Sequence, residues 1–422
     1  MGGDPIGSAA SDSPAWDSAA RDSPAWDSAA GSDSITASDS PVAQSRRLSI
    51  VALGGGHGLY ASLSALRLLD TDITAVVTVA DDGGSSGRIR RELGVLPPGD
   101  LRMALAALAT GSVPNAVCTG SASEATGSVD EEARQALPWA TLLQHRMGGA
   151  GALAGHPIGN LLLTGLMELH DDGVTALDAL AGLVGARGRV LPMSPRPLDL
   201  VAEVASVDPD DPVRLRTIRG QSAIAATSGR VRSVRLIPED APACAEAVQA
   251  IADADAVILG PGSWFTSVIP HLLVPGLAEA LTGTNAKLMT ILNLEPQVGE
   301  TDDFSPEEHL RVLREHCPGL RVDVVIADTD AVTDPLGLRR YTDSCGARLV
   351  LASIAAPRPG ARHDPGKLSM AIADAVAVRK AESKRTARDD AAPRPATEQP
   401  ATEQPASEQP ASEQSATEQG VC

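Results

Sequence analysis

The chain has 422 residues, 43% of them hydrophobic, enough for one large or two ordinary domains with a buried core. It carries 35 Lys and Arg against 54 Asp and Glu, a formal charge of −19. That balance argues against a nucleic-acid-binding surface, which needs clustered cations to displace counterions.

Residues 1–44 hold seven Asp and one Arg and repeat DSPAWDSAA at 12–20 and 22–30. A segment this rich in Ser, Ala and Asp lacks the apolar mass to offset the entropy of ordering, so an acidic disordered tail is expected. The opening MGGDPIGSAASDS has neither a positive n-region nor an apolar h-region and does not read as a secretory signal.

LSIVAL (48–53) is a short apolar run that enters Gly54-Gly55-Gly56-His57-Gly58, and a helical pattern through Leu59, Leu63, Leu66 and Leu69 follows. ITAVVTVA (73–80) is a second β-branched run. Strand, glycine turn, helix and strand make a βαβ unit, and its right-handed crossover makes the strands parallel. Glycines let backbone approach a phosphate, and the amides and dipole of a helix start hold an anion without a lysine. The turn departs from the dinucleotide fingerprint, since Leu59 stands where the third glycine belongs, and it lacks the GK[ST] of a Walker loop. A tight turn required only by packing is the alternative.

The loop DDGGSSGR (81–88) follows the second strand on the same rim, where open parallel sheets bind ligands. Asp81 or Asp82 could accept from ribose hydroxyls or hold Mg²⁺, but adjacent acids point apart, so at most one does either; an Asx-capped turn is the structural alternative. In PPGDLR (97–102), Asp100 is expected to cap the helix LRMALAALA, and Arg102 could reach an anionic ligand. Residues 111–137 have the small polar composition of a surface insertion. His156 and Asn160 precede the apolar helix LLLTGLMEL, where such groups are more often satisfied structurally than catalytic. Residues 189–235 read as an antiparallel excursion or small subdomain. Ala256 to Leu259 is a strand entering Gly260-Pro261-Gly262-Ser263, a second turn with exposed amides. LMTILNL (288–294) and VDVVIAD (322–328) add two strands, and RLVLAS (348–353) an edge. From Pro395 to Gln419 the chain repeats PATEQ-type units, and proline every fifth residue forbids a continuous helix. A disordered tail over 382–422 is expected, either solubilising or a docking segment with Thr397, Thr402 and Thr417 as phospho-acceptors.

The class is therefore α/β: a Rossmann-like open, mainly parallel sheet with helices on both faces over 45–381, flanked by disordered tails. Aromatics are 2% of the chain, so Val, Leu, Ile and Ala must fill the core. Five widely spaced cysteines indicate neither a disulfide framework nor a zinc site, and reduced cytoplasmic thiols are expected. The uncharged windows 103–123 and 147–167 are broken by Gly, Ser, Pro, Asn or His, so no membrane span is expected. HExxH does not occur, and spacing assigns no catalytic residue.

Taken together, VALGGGHGLYASLSALR, ITAVVTVADDGGSSGRIRRELGVLPPGDLRMALAALA, HPIGNLLLTGLMEL and AVILGPGSWFTSVIPHLLVPGLAEAL closely resemble the gluconeogenesis factor family (YvcK, also called GlmR or CuvA), related to the 2-phospho-L-lactate transferases (CofD). The resemblance covers nearly all of 47–381 and neither tail. It implies a cytoplasmic bacterial protein that binds UDP-sugars, notably UDP-N-acetylglucosamine. Such a protein links carbon supply to cell-wall peptidoglycan precursor synthesis and cell shape, and morphogenesis under gluconeogenic growth requires it. The cleft would be lined by Gly54, Gly55, Gly56, His57, Gly58, Asp81, Asp82, Ser85, Gly260, Gly262 and Ser263, with Arg102, Asn160 and Asn293 as further candidates. Arg362-His363 matches an Arg-His pair that contacts the UDP-sugar in the family. The loop Asn293 to Thr301 keeps the family's Asn, Gln and Gly-Glu-Thr but departs elsewhere. A phosphorylatable Thr that follows the pair in some members is Pro365 here, which moves expected control by a Ser/Thr kinase to the carboxyl tail.

The expected function is a non-enzymatic UDP-sugar-binding regulator, homo-oligomeric and acting on a cell-wall precursor enzyme. The alternative is a Mg-dependent nucleotidyl or phospholactyl-type transferase with Asp81 or Asp82 on the metal. A third reading is an adaptor whose tails dock partners. NAD is carried as a second possible ligand.

Overall fold

The structure, a computed structural model, describes residues 46–109, 138–170, 172–205, 207, 214–297, 300–302, 304–357 and 360–389. The expectations for the acidic tail, the 111–137 insertion and the PATEQ repeats fall outside them.

Strand β1 (Leu48–Gly54), helix α1 (Gly56–Leu66), β2 (Thr71–Val77), α2 (Gly84–Leu93), α3 (Pro98–Leu108), α4 (Trp139–Gln144), α5 (Ile158–Leu169), α6 (Gly173–Leu183) and β3 (Arg189–Pro192) form the first half. An excursion of β4 (Asp199–Ala205), β5 (Arg216–Arg219), α7 (Gln221–Ala225) and β6 (Arg230–Ile237) leads into α8 (Ala245–Asp253). The second half runs β7 (Ala256–Leu259), a π-helical turn (Trp264–Val268), α9 (Ile269–Leu272), α10 (Pro275–Gly283), β8 (Lys287–Ile291), α11 (Pro306–His316), β9 (Val324–Asp328), α12 (Pro335–Ser344), β10 (Arg348–Ala352) and α13 (Pro365–Asp389).

Seven strands form one parallel sheet in the order β10-β9-β8-β7-β1-β2-β3. Its central strands are near-continuous apolar runs because helices cover both faces: Ile50 to Leu53, Val257 to Leu259 and Val324 to Ala327 are all buried. Val, Leu, Ile and Ala fill the core as composition requires, with Trp264 and Phe265 among its largest buried side chains.

From β1 the chain proceeds to β2 on one side, whereas from β7, β1's other neighbour, it proceeds to β8 on the opposite side. The β1–β7 seam is thus a topological switch point, where a crevice opens at the carboxyl ends of the strands. Leu53 pairs with Leu259, and Gly260 N–H donates to Leu53 O at 3.2 Å, so both glycine turns leave the sheet side by side. Helices α1 and α3 pack together, and each starts at this rim and ends at the opposite rim, by the amino-terminal ends of the strands.

Several expectations change. β3 is the far edge of the main sheet rather than part of the excursion, and only β5-β4-β6 forms the antiparallel sheet. The α3 N-cap position is Pro97, so Asp100 sits inside the first turn and makes no capping bond. The last helix runs to Asp389, past the expected boundary at 381. RLVLAS does supply the opposite edge, as β10. Among the described residues, no single helix is long and apolar enough to cross a membrane, and Cys244, Cys317 and Cys345 are free thiols.

Candidate functional site: a cleft at the strand switch point

The two glycine turns touch. A methyl group on Gly58 would lie 2.0 Å from Pro261 O and 2.5 Å from Gly262 Cα, so only glycine permits this backbone contact. Gly262 itself takes φ of 140°, a left-handed conformation that other residues avoid. Sequence placed Gly54 to Gly58 and Gly260 to Ser263 on one rim; the fold joins them into one wall.

Not every amide in that wall faces outward. Gly56 N–H is held by the Asp100 carboxylate, and Gly262 N–H donates to Asn293 Oδ1 at 2.9 Å while Asn293 Nδ2 returns to Gly262 O at 2.9 Å. Ser263 caps the π-helical turn: its Oγ accepts from Thr266 N–H at 3.1 Å and donates to Glu300 at 2.6 Å. Asn293 and Ser263 therefore brace the second turn from the Asn293–Thr301 loop. The first-turn amides of α1 at His57 and Gly58 lie before Leu59, whose N–H makes the first intrahelical bond to Gly55 O at 3.2 Å. Neither amide has a partner earlier in the helix, and with the helix dipole they give this part of the wall a partial positive charge.

Opposite stands a buried polar network. Arg102 Nε donates to Asn160 Oδ1 at 2.8 Å, Asn160 Nδ2 donates to Ser85 Oγ at 2.9 Å, and Ser85 Oγ lies 2.7 Å from His156 Nδ1. Ser85 Oγ thus accepts from Asn160 and shares a hydrogen bond with His156 Nδ1. Burial, followed by the charge of Arg88, lowers the His156 pKa and keeps the ring neutral. His156 and Asn160 are thus satisfied, as their position before an apolar helix suggested. The pair Ser85–His156 is also the geometry of a hydroxyl beside a base, which sequence spacing missed because 71 residues separate them.

Three charged groups meet between wall and network. Asp100 is fully buried, and its pKa is pushed up to about 7 by desolvation first and by Asp81 second, against Arg102 and the Gly56 amide. Asp81 is raised by burial, opposed by hydrogen bonds from Gly83 N–H and the Ser86 hydroxyl. Asp100 Oδ2 and the hydroxyl of Thr78, both buried, have no hydrogen-bond partner, and a methyl on Gly55 would lie 2.6 Å from each residue's side chain. Arg102 also acts on the ring of His57, which reaches solvent.

Asp82 turns away: its Oδ1 accepts from Ser222 N–H at 2.9 Å and holds the start of α7. Of the two adjacent acids only Asp81 faces the cleft. Asp81 and Asp100 offer hard oxygen donors that fit Mg²⁺ completed by ligand phosphates, although no group of three or more His, Cys, Asp or Glu is poised for a metal among the described residues. Arg362 is exposed on the segment bridged to the strand ends through Ala355 and His363, and its resolved bonds are to backbone, not to the glycine turns. Asp100 was hidden in the sequence because an acid before an apolar helix reads as a cap.

A model of the family 2-phospho-L-lactate transferase CofD matches residues 50–350. The chain is 37% identical over 287 residues to a gluconeogenesis factor of Listeria monocytogenes, covering 68% of this chain and 79% of that one. It is 54% identical over 334 residues to a Mycobacterium tuberculosis protein given that designation provisionally, covering 78% of this chain and 90% of the relative. A crystal structure of a UPF0052 family member from Bacillus halodurans superposes with a TM-score of 0.64 at 32% identity, over 78% of this chain and 99% of that one. The chain belongs to the gluconeogenesis factor family, related to CofD.

Proposed function

We propose that the chain is a non-enzymatic regulator that binds UDP-N-acetylglucosamine or a related UDP-sugar in the switch-point cleft. The observation that carries the reading is the backbone contact of Gly58 with Pro261 and Gly262, which joins the two turns into one wall at the strand ends. In this reading the diphosphate rests on the His57 and Gly58 amides, Arg102 supplies the nearby cation, and the exposed Arg362 reaches the sugar half. An acidic chain can hold an anion this way because the charge comes from helix amides and one arginine rather than a basic surface.

Binding would report the supply of carbon to a cell-wall precursor enzyme in the cytoplasm and so adjust cell shape during gluconeogenic growth. Phosphorylation of the carboxyl tail by a Ser/Thr kinase and homo-oligomer formation belong to the same proposal. Calorimetric titrations with UDP-N-acetylglucosamine and NAD in parallel test it: UDP-sugar binding supports the reading, and NAD binding alone defeats it.

A second reading, a CofD-like transferase, is favoured by the Asp81–Asp100 pair. Mg²⁺ held there would neutralise phosphate oxygens of a bound ester; the chain's own residues would orient that ester through Arg102 and hold the Ser85 hydroxyl hydrogen-bonded to His156. Incubation with UTP and sugar phosphates, and with UDP-sugars, with and without Mg²⁺, separates the two readings. Product formation selects the transferase, and binding without turnover selects the regulator.

A further inference from the structure

At the other end of the sheet, the amino-terminal ends of β2 and β3 border an open cavity of about 540 Å³. Its wall carries Arg47, Arg67, Arg187 and Arg189 together with Asp70 and Asp72. Two of these arginines serve carboxylates: Arg47 pairs with Asp70 at 2.9 Å, and Arg189 holds Asp178 through Nε at 3.0 Å and Nη2 at 2.7 Å.

Arg67 and Arg187 are arranged differently. Arg67 follows α1, and its Nη1 donates to Ala107 O at 3.1 Å near the end of α3, which fixes the guanidinium in the cavity wall. Arg187 is exposed, on a loop pinned by its own N–H to Leu108 O at 2.8 Å. Burial, and then the positive charge of Arg187, lower the pKa of Arg67, so the two cations stand within Coulombic reach of each other. On the same wall the Thr71 hydroxyl is buried with no hydrogen-bond partner.

We propose that this cavity is a second ligand site, in which Arg67, Arg187 and the Thr71 hydroxyl bind a small phosphorylated metabolite. Planar guanidinium groups match phosphate oxygens two at a time, and a dianion neutralises two cations that a monoanion would leave half neutralised. The hydroxyl supplies a further donor, and the volume suits a small molecule. Asp70 and Asp72 on the same wall disfavour a long polyanion. Because α1 and α3 begin at the glycine turn and Asp100 and end at this cavity, a ligand here would tie together the far ends of the two helices that carry the cleft.

The test is a calorimetric titration of the full chain with inorganic pyrophosphate, repeated on Arg187→Glu, Thr71→Val and, as a charge control, Arg340→Glu. Arg187 and Arg340 are exposed, so these variants keep the fold, and unliganded melting temperatures verify it. The site predicts affinity at least tenfold weaker in Arg187→Glu, several-fold weaker in Thr71→Val and unaltered in Arg340→Glu. Absence of pyrophosphate binding to the wild type, or equal binding by Arg187→Glu and the wild type, overturns it. Neither arm requires UDP-sugar binding, so failure of the nucleotide reading leaves this result standing.

Discussion

Gly58 and Pro261 meet backbone to backbone, with no room between them for a methyl group. The contact joins residues 203 positions apart in sequence, and it follows from the neighbouring positions of β1 and β7 in the sheet. Gly58→Ala is therefore expected to force the two turns apart and to destabilise the fold by roughly 2–4 kcal/mol, in the range of overpacked core substitutions. Urea denaturation measures it. Gly165→Ala, in the interior of α5 with open space at its Cβ, should instead stabilise by about 0.5–1 kcal/mol.

Asp100 gives the site a pH signature. Its folded pKa of about 7 stands above its ordinary value of 3.8, so the folded state holds a proton that the unfolded chain has released between those two values. The stability this group contributes is complete below 3.8 and is lost as pH rises through about 7. Asp100→Asn keeps an oxygen for the Gly56 amide and removes the buried charge, so it should be more stable than the wild type by about 4 kcal/mol at high pH and no different in acid. Thermal melts at several pH values measure the difference.

His271 acts in the opposite sense. It is fully buried between Val76 O and Val268 O, and desolvation lowers its pKa to about 4 from 6.5. The folded chain refuses a proton that the unfolded chain accepts, so stability is full above 6.5 and is lost as pH falls toward 4, by roughly 3 kcal/mol. A His271→Gln variant should lack this acid-side loss, read from urea midpoints on either side of the window.

Asn160 stands between Arg102 and Ser85, and its removal leaves two buried groups short of a partner. Asn160→Ala should cost about 2–3 kcal/mol and weaken UDP-sugar binding by releasing Arg102. Paired denaturation and titration curves check both effects.

Much of the fold was legible because short apolar runs rich in β-branched residues mark buried parallel strands, as in β1, β2, β7, β8, β9 and β10, and because β1 and β7 run straight into glycine turns at their ligand-binding ends. β3 was not, since Arg189 to Pro192 is short, ends in proline and becomes a strand only by lying against β2. The glycine wall was legible for the same reason as the strands. The network opposite was not, because Arg102, Asn160, Ser85 and His156 come from three separate segments and only tertiary packing brings them within hydrogen-bonding distance. Asp82 shows the converse limit. Sequence could establish that it and Asp81 diverge, but only the position of Ser222 decides which one leaves the cleft.

The most direct test is a crystal structure of the full chain with UDP-N-acetylglucosamine bound. The account predicts diphosphate oxygens about 3 Å from the His57 and Gly58 amide nitrogens, with the Gly58–Pro261 contact intact. A diphosphate bound elsewhere, whether in the arginine-walled cavity or on the outer surface, would contradict it.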